Sequence, residues 1–267
     1  MPQPDTRVQA ALQSPIGVFD SGIGGLSILK ALRAALPGED FVYLADTGYA
    51  PYGERGDAYV IERTREILQQ LRGEHAIKAL VIACNTATAA AIHLARKELP
   101  GLPIVGVEPA LKPAVALSRT RRIGVLATRG TLASDKFRAL HAGLSDQAEF
   151  ILQPCDGLAD AIENHDAPRT AALCERYAQA LGALGTQPGQ VDTVVLGCTH
   201  YAFAQAQLAA HTGSGVRLIE TGEPVARQTL RLLAARGQLK TGDMGSIQLL
   251  STGSLAALQA AATHWLS

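Results

Sequence analysis

A short apolar run that stops at a small residue, passes into a polar or glycine-bearing turn and is followed by a helix-length amphipathic stretch recurs along this 267-residue chain. Each run is bounded by turn residues and has strand length, so it reads as a buried β-strand. Parallel strands need a crossover of a dozen or more residues between them, commonly a helix. Strands alternating with helices therefore predict a parallel sheet with helices on its faces. The first four strands are expected at 16–20, 41–44, the run ending at Cys84, and 102–107. Helices are expected at 26–36, over a stretch with Val60, Thr64, Ile67, Leu68 and Leu71 on one face, and at 87–99.

The alternation then restarts. Ile123-Gly124-Val125-Leu126-Ala127-Thr128 echoes Ile16-Gly17-Val18-Phe19-Asp20-Ser21, and Glu149-Phe150-Ile151-Leu152 echoes Asp40-Phe41-Val42-Tyr43. Thr193-Val194-Val195-Leu196-Gly197-Cys198 likewise echoes Ala79-Leu80-Val81-Ile82-Ala83-Cys84. Three matches in one order at nearly constant spacing mark an internal duplication. Further strands are expected at 216–219 and 247–250, flanking a helix at 224–235, and a helical run at 170–184 should bury Cys174. The expected fold is α/β: two similar flavodoxin-like domains, with ligands bound at the cleft outside the carboxyl ends of their strands. The boundaries expected are a flexible tail at 1–14, a first domain over 15–108 plus 220–267, and a second over 109–219.

Composition narrows the class. Hydrophobic residues make up 47% of the chain and charged ones 18%, which describes a core-forming protein rather than a disordered one. Formal net charge is zero, so no global field recruits nucleic acid or an anionic membrane. Arg119, Arg121 and Arg122 read as a solvated turn. Residues 1–14 lack the basic and apolar regions of a secretory signal, and no apolar run approaches the ~18 residues of a membrane span. A cytoplasmic protein is expected, with Cys84, Cys155, Cys174 and Cys198 as thiols.

Chemistry concentrates at the strand ends. Cys84 and Cys198 each close a buried strand and precede polar residues. A thiol there lies beside backbone N–H groups and a helix N-terminus, all of which favour thiolate over the ordinary pKa near ~8.5. Free cysteine is also a common small core residue, but two in equivalent places point to function. Asn85, Thr86 and Thr199 offer donors for an amino-acid headgroup. Asp20-Ser21 reaches the mouth of the first strand or caps the next helix, and His200 either assists a thiol or faces solvent from a loop. The turn Gly22-Ile23-Gly24-Gly25 lacks the final glycine of a dinucleotide fingerprint, and the cysteine spacings do not match a zinc site. Cys155, after Pro154, is ambiguous.

Asp20-Ser21-Gly22-Ile23-Gly24-Gly25-Leu26, Pro51-Tyr52-Gly53, Ala83-Cys84-Asn85-Thr86-Ala87-Thr88-Ala89 and Gly197-Cys198-Thr199-His200-Tyr201 together closely resemble the bacterial glutamate racemases of the aspartate/glutamate racemase family. The resemblance implies a cofactor-independent isomerase that interconverts L- and D-glutamate for cell-wall peptidoglycan, with no metal, and leaves a homodimer open. It implies Cys84 and Cys198 as the catalytic thiols, acting on D- and L-glutamate respectively, with Asp20 and His200 as their assistants. Substrate-binding positions fall on Asp20, Ser21, Tyr52, Gly53, Asn85, Thr86, Thr199 and His200. Asp46, Thr131 and Glu163 match further family positions, although Asp156 stands where the family's proline follows the cysteine aligned with Cys155. The loop 46–57 is the expected lid. Rival readings are a racemase for aspartate, a small-molecule sensor with core cysteines, and a thioester-forming amidase.

Overall fold

The computed structural model describes residues 12–266. The expected tail at 1–14 lies outside the described residues up to position 11; the Leu12 carbonyl accepts a hydrogen bond from Lys78 Nζ at 2.8 Å. Two compact units divide the chain. The first comprises 1–50, 57–107 and 222–267, and the second comprises 51–56 and 108–221.

In the first unit the order is β1 (Ile16–Asp20), α1 (Leu26–Ala35), β2 (Phe41–Ala45), a 3-10 turn (Thr47–Tyr49), α2 (Asp57–His75), β3 (Ala79–Ile82), α3 (Asn85–Glu98) and β4 (Ile104–Gly106). The second unit runs α4 (Leu111–Leu117), β5 (Arg122–Ala127), α5 (Arg129–Ala133), α6 (Asp135–Ala142), β6 (Glu149–Pro154), α7 (Leu158–Glu163), α8 (Ala167–Ala180) and β7 (Thr193–Leu196). A 3-10 turn (Thr199–Ala204), α9 (Gln205–Thr212) and β8 (Arg217–Ile219) complete it. The chain then supplies α10 (Gly222–Ala235), β9 (Ile247–Ser251) and α11 (Leu255–Trp265) to the first unit.

Both sheets are wholly parallel. The first has the order β4-β3-β1-β2-β9 and the second β8-β7-β5-β6. Setting β5, β6, β7 and β8 against β1, β2, β3 and β4 reproduces one order from the other, so the duplication extends to topology. Strand β9 is the addition, paired in parallel with β2.

Burial follows the sequence logic. Every residue of β1, β2 and β3 is buried, as expected of strands covered on both faces. In the second sheet Val125, Ala127 and Val195 join one core, while Leu126, Val194 and Leu196 join another on the opposite face, the two-residue period of a strand. Cys155, Cys174 and Cys198 share the second of these cores.

Element ends depart from expectation for identifiable reasons. Helix α3 begins at Asn85 rather than 87, because Cys84 Sγ takes the N-cap place and accepts from Ala87 N at 3.4 Å. Asn85 and Thr86 thus sit in its first turn. Helix α8 spans Ala167–Ala180 instead of 170–184. Asp166 caps its start through Arg169 N, and Gly182, at φ +81°, turns the chain away after its end. Leu184 then forms an isolated bridge with Val191. No helix among the described residues is long and apolar enough to cross a membrane.

Candidate active site

In the first unit the ends of adjacent strands β1 and β3 bring Asp20, Ser21 and Cys84 together. Asp20 is fully buried, and its carboxylate accepts from Ser21 N at 2.8 Å and from Gly25 N. Asp20 therefore holds the turn before α1 without being its N-cap, which is Gly25, and it adjoins Ser21, whose Oγ stands 3.6 Å from Cys84 Sγ. Tyr43 from β2 braces the same turn by donating to Gly22 O at 2.7 Å. Gly25 is required by crowding: a Cβ there would lie 2.6 Å from Asp20 Cβ and 2.9 Å from Tyr43 Oη.

Cys84 lies at the head of a 14-residue helix, where the unpaired N–H groups and the helix dipole favour an anionic sulfur. Beside it, Asn85 is 4% exposed, and neither its side-chain oxygen nor its nitrogen has a partner among the described residues. A buried amide left wholly unsatisfied costs ~1–3 kcal/mol per group. That cost is recovered when a ligand brings both a donor and an acceptor. Thr86, next in the turn, is also buried.

The second unit builds a different apparatus on the equivalent strand. Cys198 follows β7 in extended conformation, and the 3-10 turn after it swings His200 back so that Nδ1 lies 3.8 Å from Cys198 Sγ. The other ring nitrogen, Nε2, meets Glu163 Oε2 at 2.6 Å. Glu163 is the last residue of α7, so a helix end delivers a carboxylate to a histidine that is 6% exposed. Burial alone would push the His200 pKa down; the hydrogen bonds and charges of Cys198 and Glu163 outweigh it and hold the imidazole well above the ordinary value of 6.5. Sulfur, imidazole and carboxylate thus lie in one chain of contacts, in which the carboxylate supports a protonated imidazole beside the sulfur.

The neighbouring thiols are of another kind. Burial raises the pKa of Cys155, and that of Cys174 to about 11, so both stay protonated. Tyr201, within the 3-10 turn, donates to Cys155 O at 3.3 Å. Burial, with Cys198 and Cys155 adding to it, lifts this phenol well above its ordinary pKa.

Tyr52 and Gly53 belong to the segment 51–56, which groups with the second unit. Gly53 O accepts from Gly130 N at 3.2 Å, and Tyr52 is buried. Thr131 is buried in α5, where its hydroxyl accepts from Thr128 Oγ1 at 2.9 Å; Thr128 caps that helix through Thr131 N. Thr128 follows β5 as Ser21 follows β1, the equivalent place in the duplicated pattern. Thr199 is buried next to His200. Asp46 is fully buried in a forked ion pair with Arg63, at 2.8 and 3.0 Å. Arg63 sits among charged residues on an amphipathic helix, and nothing in its local pattern distinguishes it from a solvated arginine.

The model of the Asp/Glu/Hydantoin racemase family matches residues 16–229. The chain belongs to that family. A glutamate racemase of Ralstonia pickettii (strain 12J) is 46% identical over 250 residues, covering 93% of this chain and 86% of that one. Among solved structures, glutamate racemase isoform RacE1 from Bacillus anthracis aligns with a TM-score of 0.83 at 30% identity, covering 95% of this chain and 94% of that one. The glutamate racemase of Francisella tularensis subsp. tularensis SCHU S4 in complex with D-glutamate aligns with a TM-score of 0.80 at 25% identity, covering 96% and 94%. Glutamate racemases thus share this chain's fold over nearly its whole length.

Proposed function

We propose that this chain interconverts L- and D-glutamate, with Cys84 and Cys198 as two bases acting on opposite faces of Cα. The observation that carries the reading is the pair of strand-end thiols, each supported by its own polar neighbours: Ser21 and the α3 N-terminus for Cys84, and His200 with Glu163 for Cys198. Relatives that share most of the chain are glutamate racemases, and one of them holds D-glutamate.

One thiolate takes the Cα proton, the electron pair stays on the substrate as a carbanion, and the opposing thiol delivers its own proton to the other face. The enzyme ends with its protons exchanged between the two sulfurs. Proceeding from D-glutamate, Cys84 is the base; from L-glutamate, Cys198 is. An unassisted thiol is only a few per cent ionised at neutral pH, so the helix N-terminus and the imidazolium supply the missing driving force. The α-carbon is a weak acid, and the reading assigns charge stabilisation to oriented donors: Asn85, Thr86, Thr199, Ser21 and their main-chain amides. Tyr52 and Gly53 complete the binding set, with the 46–57 loop excluding water. The product serves peptidoglycan synthesis in the cytoplasm.

Circular dichroism of L-glutamate decaying to the racemate tests the activity directly, with L-aspartate as the rival substrate. Cys84→Ala and Cys198→Ala should each abolish racemisation while retaining one-sided elimination from a glutamate analogue bearing a leaving group. Near-wild-type interconversion by either variant would show that two bases are not needed.

A further inference from the structure

We infer that Arg63 is a positioning residue that sets glutamate affinity by holding the turn from which the chain enters the Tyr52-Gly53 segment. Asp46, on this view, acts through Arg63 and carries no proton in the reaction. The inference rests on the racemase reading for its kinetic form, though its structural core can be measured without turnover.

The geometry centres on one guanidinium. Arg63, 8% exposed on α2, donates from Nε and Nη2 to the two oxygens of Asp46, at 3.0 and 2.8 Å. Its Nη1 meets Glu66, and its Cζ lies 3.3 Å from the centroid of the Tyr49 ring. Fork and ring together contact both ends of the turn 46–49, a combination the planar guanidinium allows and an ammonium does not. The turn is closed by Tyr49 N donating to Asp46 O at 3.0 Å, and Tyr59 Oη, also from α2, holds Tyr49 O at 3.0 Å. From the other side Asp46 N donates to Asp20 O at 2.9 Å. A continuous chain of contacts therefore runs from Arg63 through Asp46 to Asp20, and from Arg63 to Tyr49, two residues before Pro51.

Both members of the pair are buried, so the bond is weakly screened and its geometry strongly specified. A carboxylate held in a bidentate fork is also a poor proton shuttle, because protonation breaks the fork. Its service is to order the turn in advance, so that this ordering is not charged to substrate binding. Loosening it should raise KM and leave the bound-state chemistry alone.

Arg63→Lys keeps the charge and loses the fork; Arg63→Gln loses both. Loss of one to two charge-assisted hydrogen bonds should raise KM about ten-fold in Arg63→Lys and more in Arg63→Gln, with kcat within about two-fold. The pH limbs of kcat should not move in either variant or in Asp46→Asn, and the Arg63→Gln/Asp46→Asn double variant should be no worse than the poorer single one. Amide exchange at Tyr49 N, read by hydrogen exchange on the wild type and Arg63→Lys, should accelerate at least about ten-fold, since the turn then opens locally. If Arg63→Gln does not fold, Arg63→Lys decides. Unchanged KM in the folded Arg63 variants overturns the inference, as does a shifted pH limb in Asp46→Asn. A wild type without glutamate activity would instead refute the functional reading, and Tyr49 exchange would still decide the role of Arg63: acceleration supports it, no change overturns it.

Discussion

Replacing Glu163 by glutamine is an informative perturbation of the Cys198 relay, because it removes one charge and preserves shape. In the structure Glu163 Oε2 lies 2.6 Å from His200 Nε2, and both groups are largely shielded from solvent. A hydrogen bond between charged groups contributes ~1.5–3 kcal/mol and a neutral one ~0.5–1.5, so the exchange should cost the imidazolium about 1–1.5 kcal/mol. One pKa unit corresponds to about 1.4 kcal/mol, which places the fall in the His200 pKa near one unit. The wild-type imidazole is held well above its ordinary value, so its proton persists through neutrality. In Glu163→Gln the alkaline limb of kcat/KM should move down by about one pH unit, giving a loss of up to about ten-fold on that limb and little change on the acid side. Because the enantiomers have equal free energy, both directions must show the same loss in kcat/KM. Circular dichroism rates from about pH 6 to about pH 9, paired with NMR titration of labelled histidine, measure both quantities. A uniform fall at all pH values, or an unmoved limb, would refute the relay.

The same linkage has a stability consequence. His200 binds its proton more tightly folded than unfolded, so the stabilisation is complete below the unfolded value near ~6.5 and is lost as pH rises through the raised folded value. The melting temperature should fall across that window, and the window should narrow in Glu163→Gln. Asn85→Leu removes two unsatisfied buried polar atoms; the folded protein should melt at an equal or higher temperature by calorimetry, while KM for glutamate rises at least about ten-fold. Gly25→Ala puts a methyl against Asp20 Cβ and Tyr43 Oη in a fully buried turn. It should destabilise by about 1–3 kcal/mol in urea titration and lower kcat through displacement of Asp20 and Ser21.

Much of the architecture was legible because it is local. Apolar runs of strand length, glycine and proline punctuation, and helix-length spacers are properties of neighbours in sequence, and they specify parallel α/β structure. The repeat of Ile16-Gly17-Val18 in Ile123-Gly124-Val125 carried the duplication, since a copied topology keeps its hydrophobic pattern. Helix ends were less legible. Cys84 serving as an N-cap through its sulfur, and the left-handed Gly182 that follows α8, are decided by individual hydrogen bonds and dihedrals that periodicity does not encode.

At the candidate site, the sequence by itself placed the reactive side chains: two cysteines ending equivalent buried strands, with the amide, hydroxyl and imidazole groups that follow them. Only the tertiary structure decided how those residues are assisted. Glu163 reaches His200 across 37 positions because α7 ends where the 3-10 turn after β7 begins, and Arg63 closes on Asp46 because α2 packs its polar stripe inward at one residue. Such partners come together through burial and long-range packing, which make a charge seek its opposite wherever the fold brings one near. A linear pattern records the need for that partner and not its address.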